Sequence, residues 1–215
     1  MANLTVTARG QVTFRKDVLR HLGVKPGEKI ELELVPGGKG MISAARKTGS
    51  IEDFIGAARR EDTEDSGDWR DREGYRPGLG RNAMKVIVDS NVLIRAAVRD
   101  NVRQARAAAT FLRDAELIAV SLTCVCEFVA VLRNVYKFKR EDIGAALRAL
   151  LDAGNVEVNR PAVEAGMAVL NAGGDFADGV IAYEGRWLGG ETFVSFDKNV
   201  FPVAVVLGNK AKLLG

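Results

Sequence analysis

Five acidic residues in the second half of the chain stand where chemistry could be built. Asp89 ends the apolar run of residues 85–88 and opens a helical stretch. Glu127 lies in LTCVCEFVAVLRN, whose neighbours are almost all apolar. A carboxylate there is out of place unless something pairs with it. Asp175 and Asp178 open the helical run DFADGVIAYEG, and Asp197 follows the strand-like TFVSF. Three of these acids fall where an open parallel sheet puts its ligand crevice, at the carboxyl ends of strands. Carboxylates gathered within a few ångströms cannot all stay ionised without compensation, and no Lys, Arg or His directly adjoins Asp89, Glu127, Asp175 or Asp178 to supply it. An all-oxygen ligand set selects hard cations, Mg²⁺ or Mn²⁺, over zinc. Such a site suits in-line attack of a metal-activated water on a phosphodiester.

Each acid also has a plainer use. Asp175 serves as an N-cap, and Asp178 suits the positive end of the helix dipole. Asp89 and Asp197 are turn formers after strands. Joint placement is what favours the metal reading. Cys124 and Cys126 read as small core side chains, because His21 is the only histidine and lies in the N-terminal part.

The elements that must position these acids follow from patterning. MKVIVDSNVLIRAAV, from Met84, reads as a buried strand running into a helix. Short strands are expected at 117–120, 155–158 and 192–196, with helices at 141–153 and 162–171. Strands alternating with helices predict an α/β domain, a largely parallel sheet flanked by helices, over 84–215.

Two different segments precede it. Residues 1–49 alternate apolar and polar positions on either side of KDVLRHLGVKPGE, predicting strand, strand, short helix, strand, a glycine turn at 36–40 and a strand at 41–44. So short a piece buries too little surface to be comfortably stable alone and is expected to dimerise. In residues 50–83, Ser50 and Asp53 form an S-x-x-D helix start, and Ile51, Phe54, Ile55 and Ala58 share one face. An amphipathic helix over 51–60 is expected, with no local partner. Residues 61–83 are polar and nearly free of aliphatics, so they cannot fold alone; Trp69 and Tyr75 are aromatic anchors for a partner surface. Charge divides the same way, +5 over residues 1–50 (9 basic, 4 acidic), −3 over 51–83 (6 and 9) and +1 over 84–215 (16 and 15).

The motifs V-D-S-N at 88–91, Glu127 in its helix, D-F-A-D-G-V-I-A at 175–182 and S-F-D-K at 195–198 resemble the PIN domain, most nearly the VapC-type toxins. The resemblance covers nearly all of 84–215. It implies a metal-dependent ribonuclease with Asp89, Glu127, Asp178 and Asp197 as catalytic metal ligands for Mg²⁺ or Mn²⁺. It also implies Asn91, Asp175 and Ser195 as supporting polar groups. Gly179 departs from the alanine usual there, which weakens the helix slightly.

The stretch TARGQVTFRKDVLRHLGVKPGEKIEL resembles the SpoVT/AbrB family, which includes VapB-type antitoxins, with Phe14-Arg15 in place of the usual Ile-Pro. That implies a small swapped-hairpin dimeric barrel that binds operator DNA. Arg9, Arg15, Lys16 and Arg20 are its candidate contacts, with Gln11 and Thr13 reaching bases or phosphates. The resemblance further implies that residues 50–83 wrap the toxin in cis or in trans through Phe54 and Trp69. Arg59, Arg60, Arg70 and Arg72 are then candidates to reach the acids. Antitoxin and toxin would here be fused, forming homodimers or higher oligomers. No basic-then-apolar leader and no apolar run of about 20 residues is present, so the cytoplasm is the expected compartment. An alternative is a DNA-binding autoregulator whose PIN-like domain serves only as corepressor and dimerisation module. Arg95, Arg99, Arg103 and Arg106 suggest a basic stripe, or an ordinary solvated helix face.

Overall fold

A computed structural model describes residues 4–35, 39–45, 49–58, 84–198, 201–208 and 210–215. The chain divides into two compact units, Met1–Arg46 and Lys47–Gly215. Among the described residues no helix is long and apolar enough to cross a membrane.

In the first unit Val6 and Val12 form an isolated antiparallel bridge around a turn in which the Gly10 N–H donates to the Thr7 carbonyl at 2.9 Å. Sequence patterning expects two full strands here. Local hydrogen bonds between Thr7 and Gln11 close the turn instead, and so short a ribbon is marginal by itself. Helix α1 (Lys16–Leu22) ends at Gly23, whose φ of 66° lets its N–H reach the Arg20 and Leu19 carbonyls. Strands β1 (Ile30–Val35) and β2 (Lys39–Ala44) pair antiparallel, from Ile30 opposite Ala44 to Val35 opposite Lys39. Most of the glycine turn expected between them lies outside the described residues. Among the described residues of this unit only Val24 is buried.

The second unit starts earlier than its motifs suggest. Helix α2 (Ile51–Phe54) is capped by Ser50 and Asp53 in a reciprocal capping box. Expected as ten residues, the helix stops after one turn. Gly56 adopts φ +83°, and the Gly56 and Ala58 N–H groups donate to the carbonyls of Ala96 (2.9 Å) and Ala97 (3.1 Å) rather than back along their own helix. Arg59, Arg60, Trp69, Arg70, Arg72 and Tyr75 lie outside the described residues.

Then come β3 (Met84–Ile87), α3 (Ser90–Val98), α4 (Val102–Asp114), β4 (Ala115–Ala119), α5 (Leu122–Asn134) and α6 (Arg140–Asp152). They are followed by β5 (Val156–Glu157), α7 (Arg160–Asn171), α8 (Phe176–Trp187), β6 (Thr192–Ser195), α9 (Phe201–Leu207) and β7 (Lys210–Leu213). Strands β3, β4 and β5 make a three-stranded parallel sheet in that order, flanked by helices. Strand β6 does not extend it; it pairs in parallel with β7, over Phe193, Leu207 and a small cluster of Val169, Ala182 and Val203. Sequence patterning omits β7, because Lys-Ala-Lys-Leu is short and half charged.

One apolar core unites α2 with the helices around the parallel sheet. Ile51, Phe54 and Ala58 are buried with Leu93, Leu112, Phe128 and Leu147, and the Phe54 and Phe128 rings lie 5.8 Å apart. Gly49 bridges to Ala153 in parallel, and Arg113 makes a two-pronged ion pair with Glu52 (Nη2 to Oε2 2.8 Å). These residues therefore belong physically to the second unit.

Gly179 has a stricter role than a slight weakening of its helix. A Cβ there would lie 2.6 Å from the Ala165 carbonyl oxygen and 2.7 Å from the Gly166 Cα, both backbone atoms of α7. Gly179→Ala should therefore destabilise the second unit by up to about 2 kcal/mol net, an overpacking cost of about 1–3 kcal/mol less the ~1 kcal/mol by which alanine favours a helix. A urea midpoint equal to or above that of the parent chain would refute this close crossing.

Candidate functional site

Asp89 follows β3 and is the N-cap of α3. Its Oδ1 accepts from the Asn91 backbone N–H (2.9 Å), the Ser90 hydroxyl (3.1 Å) and Asn91 Nδ2 (3.4 Å). The Asn91 N–H, then the Ser90 hydroxyl, hold its carboxyl below the usual range, so it stays ionised while exposed. Asn91 thus supports Asp89 as the sequence expects. Ser90, which sequence reasoning passed over, is the one buried polar residue among those described. Its place inside V-D-S-N was the available signal.

Glu127 departs from expectation. Although most neighbours in sequence are apolar, it lies on the exposed stripe of α5 with Thr123, Ala130 and Asn134, while Cys124, Val125, Phe128, Val129 and Leu132 face inward. Helical periodicity removes the burial argument for this acid. Its proximity to Asp89 registers through Cys124, whose thiol is pushed up to about 11 by burial and then by the charges of Asp89 and Glu127.

The remaining acids gather at the start of α8. Asp175 is its N-cap, accepting from the Ala177 N–H at 2.9 Å. Asp178 sits half-buried in the first turn. Burial first, then the charges of Asp175 and Asp197, raises its carboxyl pKa above the usual carboxylate range. Asp197 is exposed beyond the end of β6, and its N–H donates to Ser195 Oγ at 2.9 Å. A cation does reach this group: Arg133 of α5 pairs with Asp175 (2.9 Å), a compensation that the immediate neighbours of the acids do not supply. Arg133 comes from another helix, which sequence spacing does not reveal.

Helix α5, which carries Glu127, packs against both α3 and α8, the helices that Asp89 and Asp175 cap. Among the described residues no cluster of three or more His, Cys, Asp or Glu is close enough to hold one metal ion. The arrangement is two neighbouring groups, Asp89 with Glu127 and Asp178 with Asp175 and Asp197. Their donors are all carboxylate oxygens, the chemistry that a hard cation takes.

In the first unit Arg9, Gln11, Thr13, Arg15, Lys16 and Arg20 are all exposed. The arginine stripe of the second unit is broken, because Arg95 is tied to Asp100 at 2.6 Å. Compared with known proteins, the chain matches no family model and no curated protein.

Proposed function

We propose that residues 84–215 are a Mg²⁺- or Mn²⁺-dependent PIN-type endoribonuclease, neutralised by the segment 50–83 and joined to an AbrB-like DNA-binding domain at 1–49. The observation that carries the nuclease reading is the half-buried Asp178 in the first turn of α8 beside its N-cap Asp175, on a helix that packs against α5, which carries Glu127. Asp89, Glu127, Asp178 and Asp197 are the proposed metal ligands, and bound Mg²⁺ or Mn²⁺ would activate water for attack on the phosphodiester. Asn91 orients the carboxylate at 89, Ser195 holds the backbone N–H of Asp197, and Asp175 is steadied by Arg133.

Neutralisation draws support from residues 49–58, whose Phe54 is fully enclosed by the same core that carries α3 and α5. A tether of this kind holds its segment at an effective concentration of about millimolar, so the intact chain is largely silent. For the first unit, the support is six exposed DNA-contact candidates and an uncovered apolar surface, with Val6 at 64% and Leu32 at 60% exposure. A second copy covering that surface makes the DNA-binding dimer, and operator binding there regulates its own synthesis.

The test is to cut the chain at a protease site engineered within 59–83, dilute it, and assay single-stranded RNA with Mn²⁺ and then with chelator. Cutting should release metal-dependent cleavage that the intact chain lacks. No metal-dependent hydrolysis before or after cutting would sink the enzyme reading and leave the DNA-binding autoregulator.

A further inference from the structure

From the loop after α5 into the first residue of α6 runs Tyr136-Lys137-Phe138-Lys139-Arg140, aromatics set among basic residues. We infer that Lys137, Lys139 and Arg140 form a rim that binds the backbone phosphates of single-stranded RNA and leads it to the acid groups. This rests on the nuclease reading above and adds the substrate path.

The segment is held firmly from inside. Tyr136 and Phe138 are half-buried against the core with ring centroids 6.2 Å apart. The Tyr136 hydroxyl donates to Asp100 at 2.6 Å, and the Phe138 N–H donates to the Leu132 carbonyl at 3.0 Å. With the aromatics turned inward, alternation leaves Lys137, Lys139 and Arg140 exposed, and Lys137 adopts φ +57° in the sharp bend. A cation row on a fixed backbone loses little order when it binds phosphate.

Its position connects it to the site. Arg140 Nη2 donates to the Gly173 carbonyl at 3.1 Å, two residues before Asp175, and Arg133 at the end of α5 holds Asp175 itself. Asp175 in turn acts on Asp178. Among the described residues no carboxylate is within ion-pair distance of Lys137, Lys139 or Arg140, although Glu141 and Asp142 follow in the first turn of α6. Those two acids are placed to interact with the helix dipole. One row of cations matches one phosphate backbone, which favours a single strand over a duplex.

The experiment measures binding of fluorescent oligouridine to the full chain in chelator by anisotropy over a range of salt. Lys137→Ala with Lys139→Ala should weaken binding about tenfold at low salt and lower the log–log salt slope by about 1.4, two contacts at ~0.7 each. The paired Lys→Arg variant should retain binding, and duplex DNA binding should be unchanged by either. Unchanged RNA affinity and slope in the alanine pair would overturn the rim, as would equal loss in the arginine pair or equal loss on duplex DNA. If the alanine pair loses RNA binding while the cut parent chain never hydrolyses RNA, only the nuclease reading fails. If the cut chain hydrolyses RNA and the alanine pair binds and cleaves like the parent, only the rim fails.

Discussion

Phe54→Ala should lower the stability of the second unit by about 3–5 kcal/mol, the usual loss for a large aromatic removed from a packed interior. Phe54 has no exposed surface and faces Phe128 at 5.8 Å, within a core shared with Leu93, Leu112 and Leu147. The segment around it is fastened by the Gly56 and Ala58 hydrogen bonds to the end of α3 and by the Glu52–Arg113 pair, so it has little room to collapse into the hole. Urea unfolding followed by circular dichroism reads the effect. A change below about 1 kcal/mol would mean that residues 49–58 lie on the core without completing it.

Asp178→Asn is expected to abolish metal-dependent RNA hydrolysis while making the protein more stable near neutral pH. In the folded chain Asp178 has its pKa raised above the ordinary value of 3.8, through burial and then the charges of Asp175 and Asp197. Between 3.8 and that raised value the folded state binds more protons than the unfolded one, so stability falls as pH rises through the window. Stability linked to this group is complete below 3.8 and lost once the folded carboxyl ionises. Asparagine never ionises, so the loss disappears. Removing a metal ligand forfeits several kcal/mol of transition-state stabilisation, about two to three orders of magnitude in rate. Thermal melts from pH 3 to 8, beside RNA cleavage by the cut chain, test both halves. A lower melting temperature than the parent at neutral pH would show that Asp178 stabilises the fold by another route. Cleavage at the parental rate would remove it from the reaction.

Much of the scaffold was legible because it is written in local chemistry. Asp89, Asp175 and Ser50 start helices for the capping reasons their sequence positions suggest, and α6 and α7 begin and end within two residues of their apolar periodicity. What was not legible depends on distant contacts. The single turn of α2 is set by carbonyls of α3, and Arg133 finds Asp175 across 42 positions of sequence. Glu127 shows the opposite error: an apolar neighbourhood in sequence became an exposed face once the helix turned through its period. Strand β6 needed β7, whose four residues carry too little pattern to announce a partner. The acids could be identified singly, whereas the helix contacts that relate α3, α5 and α8 required the packing.

The enclosure of Phe54 bears on how far residues 49–58 and the core around them can change independently. A segment recognised by charge alone tolerates substitution, since salt and water mask small mismatches. A segment that supplies part of an interior must match a cavity in volume, and misfits of even one methylene are felt. A tail from a similar chain with leucine or tryptophan at position 54 would leave a void or force a clash. Drift in the core around position 54 would then demand a compensating change in residues 49–58, and the reverse.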